Sequence, residues 1–202
     1  MSRFGRDDVE VLEKRSAWKG FFEIRQLRLR HRLFAGGWGK PLNRELFVRG
    51  AAVGMLPYDP ERDEVLFVEQ FRVGALDSGD SPWLQELVAG IIDTDEAPEQ
   101  VARREAREEA GLTVSELEPI AEYFSSPGGS DEYFYLYCGR CNLADAGGLH
   151  GLPGEGEDIR AKVYGFDQAM QMLADGEINN AHSLIALLWL QRHRQRLREA
   201  WQ

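Results

Sequence analysis

Apolar residues change their spacing several times along this chain, and each change marks an element. Over 18–33, aromatic and aliphatic residues alternate with basic ones, which is the two-residue period of strands. The cluster Gly36-Gly37-Trp38-Gly39 then breaks the pattern into a loop. The run 51–56 is apolar and stops at Pro57. The turn Asp59-Pro60-Glu61-Arg62-Asp63 and a strand-like segment over 64–71 follow, so these runs predict a hairpin. Another apolar stretch covers 83–92. The segment 97–110 reads as a helix, with Asp95 and Glu96 at its N-terminal end, Pro98 in its first turn and Gly111 after its last. Tyr and Phe alternate over 132–141, which predicts a strand. The glycine-rich stretch 144–157 reads as a long loop, of a length that is usually functional in a compact domain. A short strand over 159–166 and helices over 167–174 and 180–200 complete the chain. This mixed order predicts an α/β (α+β) fold. The expected division is a small β-rich N-terminal domain, 1–48, and a larger domain, 49–202.

Composition narrows the function classes. With 202 residues and 43% hydrophobic content, the chain buries a sizeable core. A formal net charge of −10 argues against nucleic acid as a partner, because binding its phosphates takes clustered Lys and Arg. No run approaches 18 apolar residues, and the first residues lack an apolar leader core, so neither a membrane span nor a secretion signal is expected. Two cysteines in a chain of this size point to a reducing cytoplasm. They form a CxxC, Cys138 and Cys141. Odd spacing on a strand places the two thiols on opposite faces. The four histidines show no metal-ligand spacing that would complete a zinc site.

The helix over 97–110 carries the candidate chemistry. Glu105 and Glu109 are four residues apart on one face, and Glu108 lies close to it. Like charges at this spacing destabilise an isolated helix by about 0.2–0.5 kcal/mol per pair. A hard cation such as Mg²⁺ between them removes that penalty and favours carboxylate oxygens. On helix geometry alone, the alternative is a solvated face, since Glu99 with Arg103 and Arg104 with Glu108 fit ion-pair spacing. The wider frame separates the two readings. Gly90, Glu96, Arg104-Glu105, an apolar residue, Glu108-Glu109, Gly111 and an aliphatic residue recur at fixed intervals over 23 residues. This frame resembles the Nudix box at every defined position, with small Ala106 in the apolar slot as a mild departure.

The resemblance to Nudix hydrolases implies a mixed β-sheet sandwiched between helices. It implies metal ligation by Glu105, Glu109, Glu157 and the carbonyl of Ala89. Glu108 would be a close catalytic support, and Arg104 would orient a glutamate by a charge-assisted hydrogen bond. Gly90 would allow a tight backbone turn. The implied cofactor is Mg²⁺, with Mn²⁺ as the alternative. The loop 151–158 places Glu155 and Glu157 between glycines. By composition it is either an acidic solvent loop or a carboxylate arm that closes over substrate. Similarity to the ADP-ribose pyrophosphatase branch of the family puts the base on Glu155 and Glu157 near the metal.

The same branch is indicated by Pro127, fifteen residues past Leu112 in a Ser-Pro-Gly context, although by itself this is an ordinary turn. The stretches EQFRVG, PWLQELVAG and HRLFAGG also resemble it. The resemblance implies substrate contacts from Arg72, Pro127 and Glu132. It implies a homodimer with exchanged N-terminal domains, in which Phe21 or Phe22 and Arg44 reach the neighbour's site. The expected reaction is hydrolysis of ADP-ribose, a small-molecule nucleotide sugar, to AMP and ribose 5-phosphate. The alternatives are another substrate, such as GDP-mannose, NADH or a dinucleoside polyphosphate, and a non-catalytic nucleotide sensor. A sensor would tend to lose box carboxylates, and all are present here.

Overall fold

The computed structural model describes residues 3–77, 81–93, 95–152, 154 and 156–201. They form two compact units, one from Met1–Ala51 with Phe124–Tyr133, the other from Ala52–Tyr123 with Phe134–Gln202.

The first unit is built on an antiparallel sheet of β1 (Val9–Lys19), β2 (Glu23–His31) and β3 (Leu42–Val48). The alternation read over 18–33 therefore captures β2 and only the end of β1. β1 begins nine residues earlier, at Val9, and is exposed over most of its length. Its register with β2 shifts twice, at Leu12 and Ala17, so its apolar residues do not keep a steady period. The segment 124–133 joins this unit through its backbone. The Phe47 N–H donates to the Gly129 carbonyl (2.8 Å), and the Arg49 N–H donates to the Asp131 carboxylate (2.7 Å).

The second unit holds an eight-stranded sheet. Its main path runs β10 (Gly148–His150), β11 (Ile159–Gly165), β5 (Glu64–Phe71), β4 (Ala51–Asp59), β9 (Tyr133–Cys141) and β8 (Val114–Phe124). β6 (Trp83–Glu86) pairs with β5, and β7 (Val88–Ile92) pairs with β4. Helix α1 (Pro98–Ala110) covers one face, while α2 (Phe166–Ala174) and α3 (Ala181–Ala200) cover the other.

Side-chain parity sets these layers. Val53, Met55, Leu66 and Val68 pack with Val101, Ala102 and Ala106 of α1. Leu56, Tyr58, Val65 and Phe67 pack with Ala169, Ala186 and Leu187 of α2 and α3. Both faces are buried, which is why 51–56 reads as continuously apolar rather than alternating. Cys138 and Cys141 fall in opposite layers, as their spacing predicts. The fold is thus a sheet sandwiched between helices.

Three stretches add to or change the sequence reading. The apolar stretch 83–92 forms two strands, divided at Leu87, whose N–H donates to the Ser183 hydroxyl (3.1 Å). β8 is absent from the sequence reading. Pro119 weakens its strand signal, yet β8 ends the sheet path, where a missing N–H is tolerated. The stretch 144–157 is not wholly loop, since it contributes β10, paired with β11. No helix among the described residues is long and apolar enough to cross a membrane.

The hairpin turn between β4 and β5 is tied to α3. Asp63, at φ 59, accepts from the Tyr58 hydroxyl (2.8 Å) and from Arg194 Nε (2.7 Å), with Arg194 Nη2 on its second oxygen. Asp59 caps the same turn by accepting from the N–H groups of Glu61 and Arg62, both at 3.1 Å.

Candidate active site

Helix α1 presents its acidic residues because its small residues face the sheet. Ala102, Ala106 and Ala110 are buried against it, so the turns between them carry Glu105 and Glu109 inward at the edge of that contact. The Ala97 N–H is capped by the Gln100 side chain (2.9 Å). At the other end, Gly111 takes the left-handed conformation (φ 64) and closes the helix with backbone bonds from Gly111 and Leu112 to Arg107 and Ala106.

Glu109 is 3% exposed, and its carboxylate accepts the Ala89 N–H of β7 at 3.0 Å. Burial pushes its pKa up to about 8, and the nearby charges of Glu105 and Glu157 add to this. The Ala89 N–H and the Arg72 charge oppose the rise. Glu105 is likewise pushed up by burial, to about 7, with Arg104 opposing and Glu108 and Glu157 reinforcing. Two acids are thus held side by side where neither ionises readily.

Arg104 orients more than the one glutamate expected of it. Its Nη1 lies 2.9 Å from both Glu105 and Glu108, and its Nε lies 3.4 Å from Glu96. Gly90 also serves differently from the expected tight turn. It lies within β7, and its φ is not positive. A Cβ there would overlap the Glu105 carboxylate, so glycine is required for space.

The glycine-rich loop is fastened to the end of this helix. The Gly151 N–H donates to the Glu108 carbonyl (3.3 Å), and the Glu157 carboxylate accepts the Leu152 N–H (3.0 Å). Gly151 has φ 99, and a Cβ on it would press on the backbone and Cβ of Glu157. Glu155, expected as the base, lies outside the described residues.

Arg72 stands just past β5, with its Nε on the Glu86 carboxylate at 2.6 Å. Glu86 is missing from the sequence prediction. Its signal there is the lone acid, beside Gln85, in the largely apolar stretch 83–92. The catalytic unit therefore brings together Ala89, Arg104, Glu105, Glu108, Glu109, Glu157 and Arg72.

The other expected substrate residues belong to the N-terminal unit. Glu132 pairs with Arg49 (2.8 Å), a residue the sequence reading passes over, and the Arg49 guanidinium lies over the Phe22 ring (4.7 Å). Phe21 is 86% exposed and stands edge-on to Phe22. Arg44 donates to the Asn43 carbonyl (2.9 Å). Pro127 sits in a turn closed by the Ser130 N–H on the Ser126 carbonyl (3.0 Å).

Among the described residues, no three His, Cys, Asp or Glu side chains converge closely enough to form a metal cage. The residues nevertheless fit a hard divalent cation that keeps several waters and shares substrate phosphate oxygens. Glu109 is buried and Glu105 is half-buried beside it, a cation would favour the ionised form of both, and Gly90 keeps the space before Glu105 clear.

Comparison with known proteins agrees with this geometry. The NUDIX domain model matches residues 48–199. The ADP-ribose pyrophosphatase of Escherichia coli (strain K12) is 46% identical over 198 residues, covering 98% of this chain and 95% of the relative. The GDP-mannose pyrophosphatase of Enterobacter sp. (strain 638) is 38% identical over 152 residues, covering 73% and 77%. Among solved structures, an ADP compounds hydrolase superposes with a TM-score of 0.72 at 18% identity, over 95% of this chain and 97% of that one, which shows a shared fold. With a box complete in sequence, its carboxylates gathered on one helix against β7, and a family match across three quarters of its length, the chain belongs to the Nudix family.

Proposed function

We propose that the chain hydrolyses the diphosphate bond of ADP-ribose, giving AMP and ribose 5-phosphate, with Mg²⁺ as cofactor and Mn²⁺ as its substitute. The observation that carries the chemistry is the pairing of half-buried Glu105 with buried Glu109 on one face of α1, with Gly90 leaving room for the Glu105 carboxylate. The substrate rests on coverage. The E. coli ADP-ribose pyrophosphatase is similar across 98% of the chain, including the N-terminal unit, whereas the GDP-mannose relative matches 73%.

Nudix hydrolases generally need a divalent metal. Here Glu105, Glu109, Glu157 and the Ala89 carbonyl would hold it, and when bound it supplies Lewis acidity and a more acidic water. Arg72 binds a phosphate oxygen, and Glu86 fixes the direction of its guanidinium. Arg104 bridges Glu105 and Glu108 and fixes the directions of their carboxylates. Glu155 takes the proton of the attacking water. The water oxygen bonds to phosphorus as the bridging P–O bond breaks, and the bridging oxygen leaves with the other phosphate.

Assembly as a homodimer with exchanged N-terminal units is part of the same proposal. Trp18 (59%), Phe21 (86%) and Phe34 (80%) expose large apolar surfaces on that unit, which a second copy would cover. Phe21 or Phe22 would hold adenine, and Arg44, Pro127 and Glu132 would contact the substrate. Two free cysteines support a cytoplasmic setting.

The test is chromatography of products from a substrate panel with Mg²⁺. ADP-ribose is expected to give equal AMP and ribose 5-phosphate, with chelator abolishing turnover. Glu105→Gln and Glu109→Gln should each lower kcat by about 10²-fold or more. Release of free phosphate, or faster cleavage of GDP-mannose, would overturn the assignment.

A further inference from the structure

Gln70 carries a polar group that the chemistry above does not use. It lies near the end of β5 and is 7% exposed. Among the described residues, its side-chain Nε2 is buried without a hydrogen-bond partner. Buried N–H groups are nearly always paired, and an unpaired one is destabilising, so its retention calls for a reason.

Strand register fixes the face on which Gln70 stands. Leu66 and Val68, four and two residues earlier, pack in the α1 layer, and the two-residue period puts Gln70 on the same face. Its cross-strand partner in β6 is Leu84, next to the Val68–Glu86 pair. Glu86 holds Arg72, two residues beyond Gln70, and Arg72 acts electrostatically on Glu109. The free amide therefore shares its face with the Arg72–Glu86 pair and the acids of α1.

We propose that Gln70 binds substrate in this site, its amide N–H donating to a non-bridging oxygen of the diphosphate beside the Arg72 guanidinium. This rests on the diphosphate-hydrolase reading above. A neutral donor suits the position. A carboxylate would repel the phosphates, and another cation would pair with Glu86 and compete with Arg72 for it. An amide adds a donor and no charge. Because the donor lacks a partner before binding, only the phosphate oxygen gives up a hydrogen bond to water, so the new bond adds more to affinity than one between two hydrated groups.

The experiment compares wild type with Gln70→Met and Gln70→Glu, both close in size to the native residue. Calorimetry with Mg²⁺ measures binding of a methylene-bridged, non-hydrolysable ADP-ribose and of inorganic diphosphate. Thermal melts of the ligand-free proteins monitor the fold. Gln70→Met is expected to melt at or above the wild-type temperature while binding both ligands about tenfold more weakly, with Gln70→Glu weaker still. Unchanged affinity in Gln70→Met would overturn the proposal, as would a lowered melting temperature without loss of affinity, which marks a structural role. If wild type binds diphosphate but not the ADP-ribose analogue, the substrate assignment fails while the Gln70 comparison is still decided on diphosphate. Binding of neither ligand by wild type would overturn both.

Discussion

At the scale of single residues, the site depends on what Glu105 and Glu109 have around them. Gly90→Ala places a methyl group where the Glu105 carboxylate lies. The carboxylate must move, and we expect kcat to fall by about 10²-fold, with a stability loss of about 1–3 kcal/mol from overpacking. Retention of wild-type kcat would show that the contact is relieved elsewhere. Acidity gives a second prediction. Glu109 ionises near 4.5 in the unfolded chain and near 8 in the folded protein. The folded state holds the extra proton between these values, so this contribution is complete below 4.5 and is lost as pH rises through 8. In chelator, the melting temperature should drop as pH rises from about 4.5 to about 8 and level off above that. Added Mg²⁺ should flatten the slope, and so should Glu109→Gln without metal. A metal-free melt that rises with pH would contradict the burial argument.

Spacing makes the box acids and Arg104 legible in the sequence, because a helix converts fixed intervals into a shared face. Glu86 and Gln70 are not legible in this way. Their positions depend on how β6 pairs with β5, and strand register is a non-local property that an apolar stretch does not encode. The role of Gly90 is hidden for a similar reason. Sequence shows that a glycine is there, while the carboxylate that needs the space lies fifteen residues away and arrives only on folding.

Among elements, the two-sided burial of β4 and β5 is readable as unbroken apolar runs, and α1 as a capped helix. β8 escapes because Pro119 argues against a strand except at an edge, and β10 because three residues carry too little pattern to separate from a loop. The β4–β5 turn offers a test of how elements are held together. Asp63 connects it to α3 through Arg194 and to Tyr58, at a backbone angle that Asp tolerates better than Ala. Asp63→Ala should destabilise the protein by about 1–3 kcal/mol in denaturant melts. Its KM should stay near the wild-type value, since none of these residues belongs to the site. A raised KM with unchanged stability would place the turn in function instead.

For the molecule as a whole, the proposed exchange of N-terminal units predicts complementation. Arg44→Ala and Glu109→Gln, each inactive alone, should regain part of the activity when unfolded and refolded together, because each mixed dimer would contain one intact site. Proven mixed dimers without recovery would remove the idea, as would a monomer by light scattering.

The stitching of 124–133 onto β3 bears on how such a protein can be recombined. The Gly129 carbonyl and the Asp131 carboxylate find their partners at Phe47 and Arg49, on the far side in sequence of β4 to β8 and α1. A crossover near residue 51 that replaced only the leading segment would pair a foreign β3 with the resident Ser-Pro-Gly loop. Both sides would then present backbone and carboxylate groups shaped for an absent counterpart. Functional chimaeras between homologues should therefore be those that inherit the leading sheet and the loop from the same parent, which a single crossover achieves when it falls after residue 133 and not when it falls near residue 51.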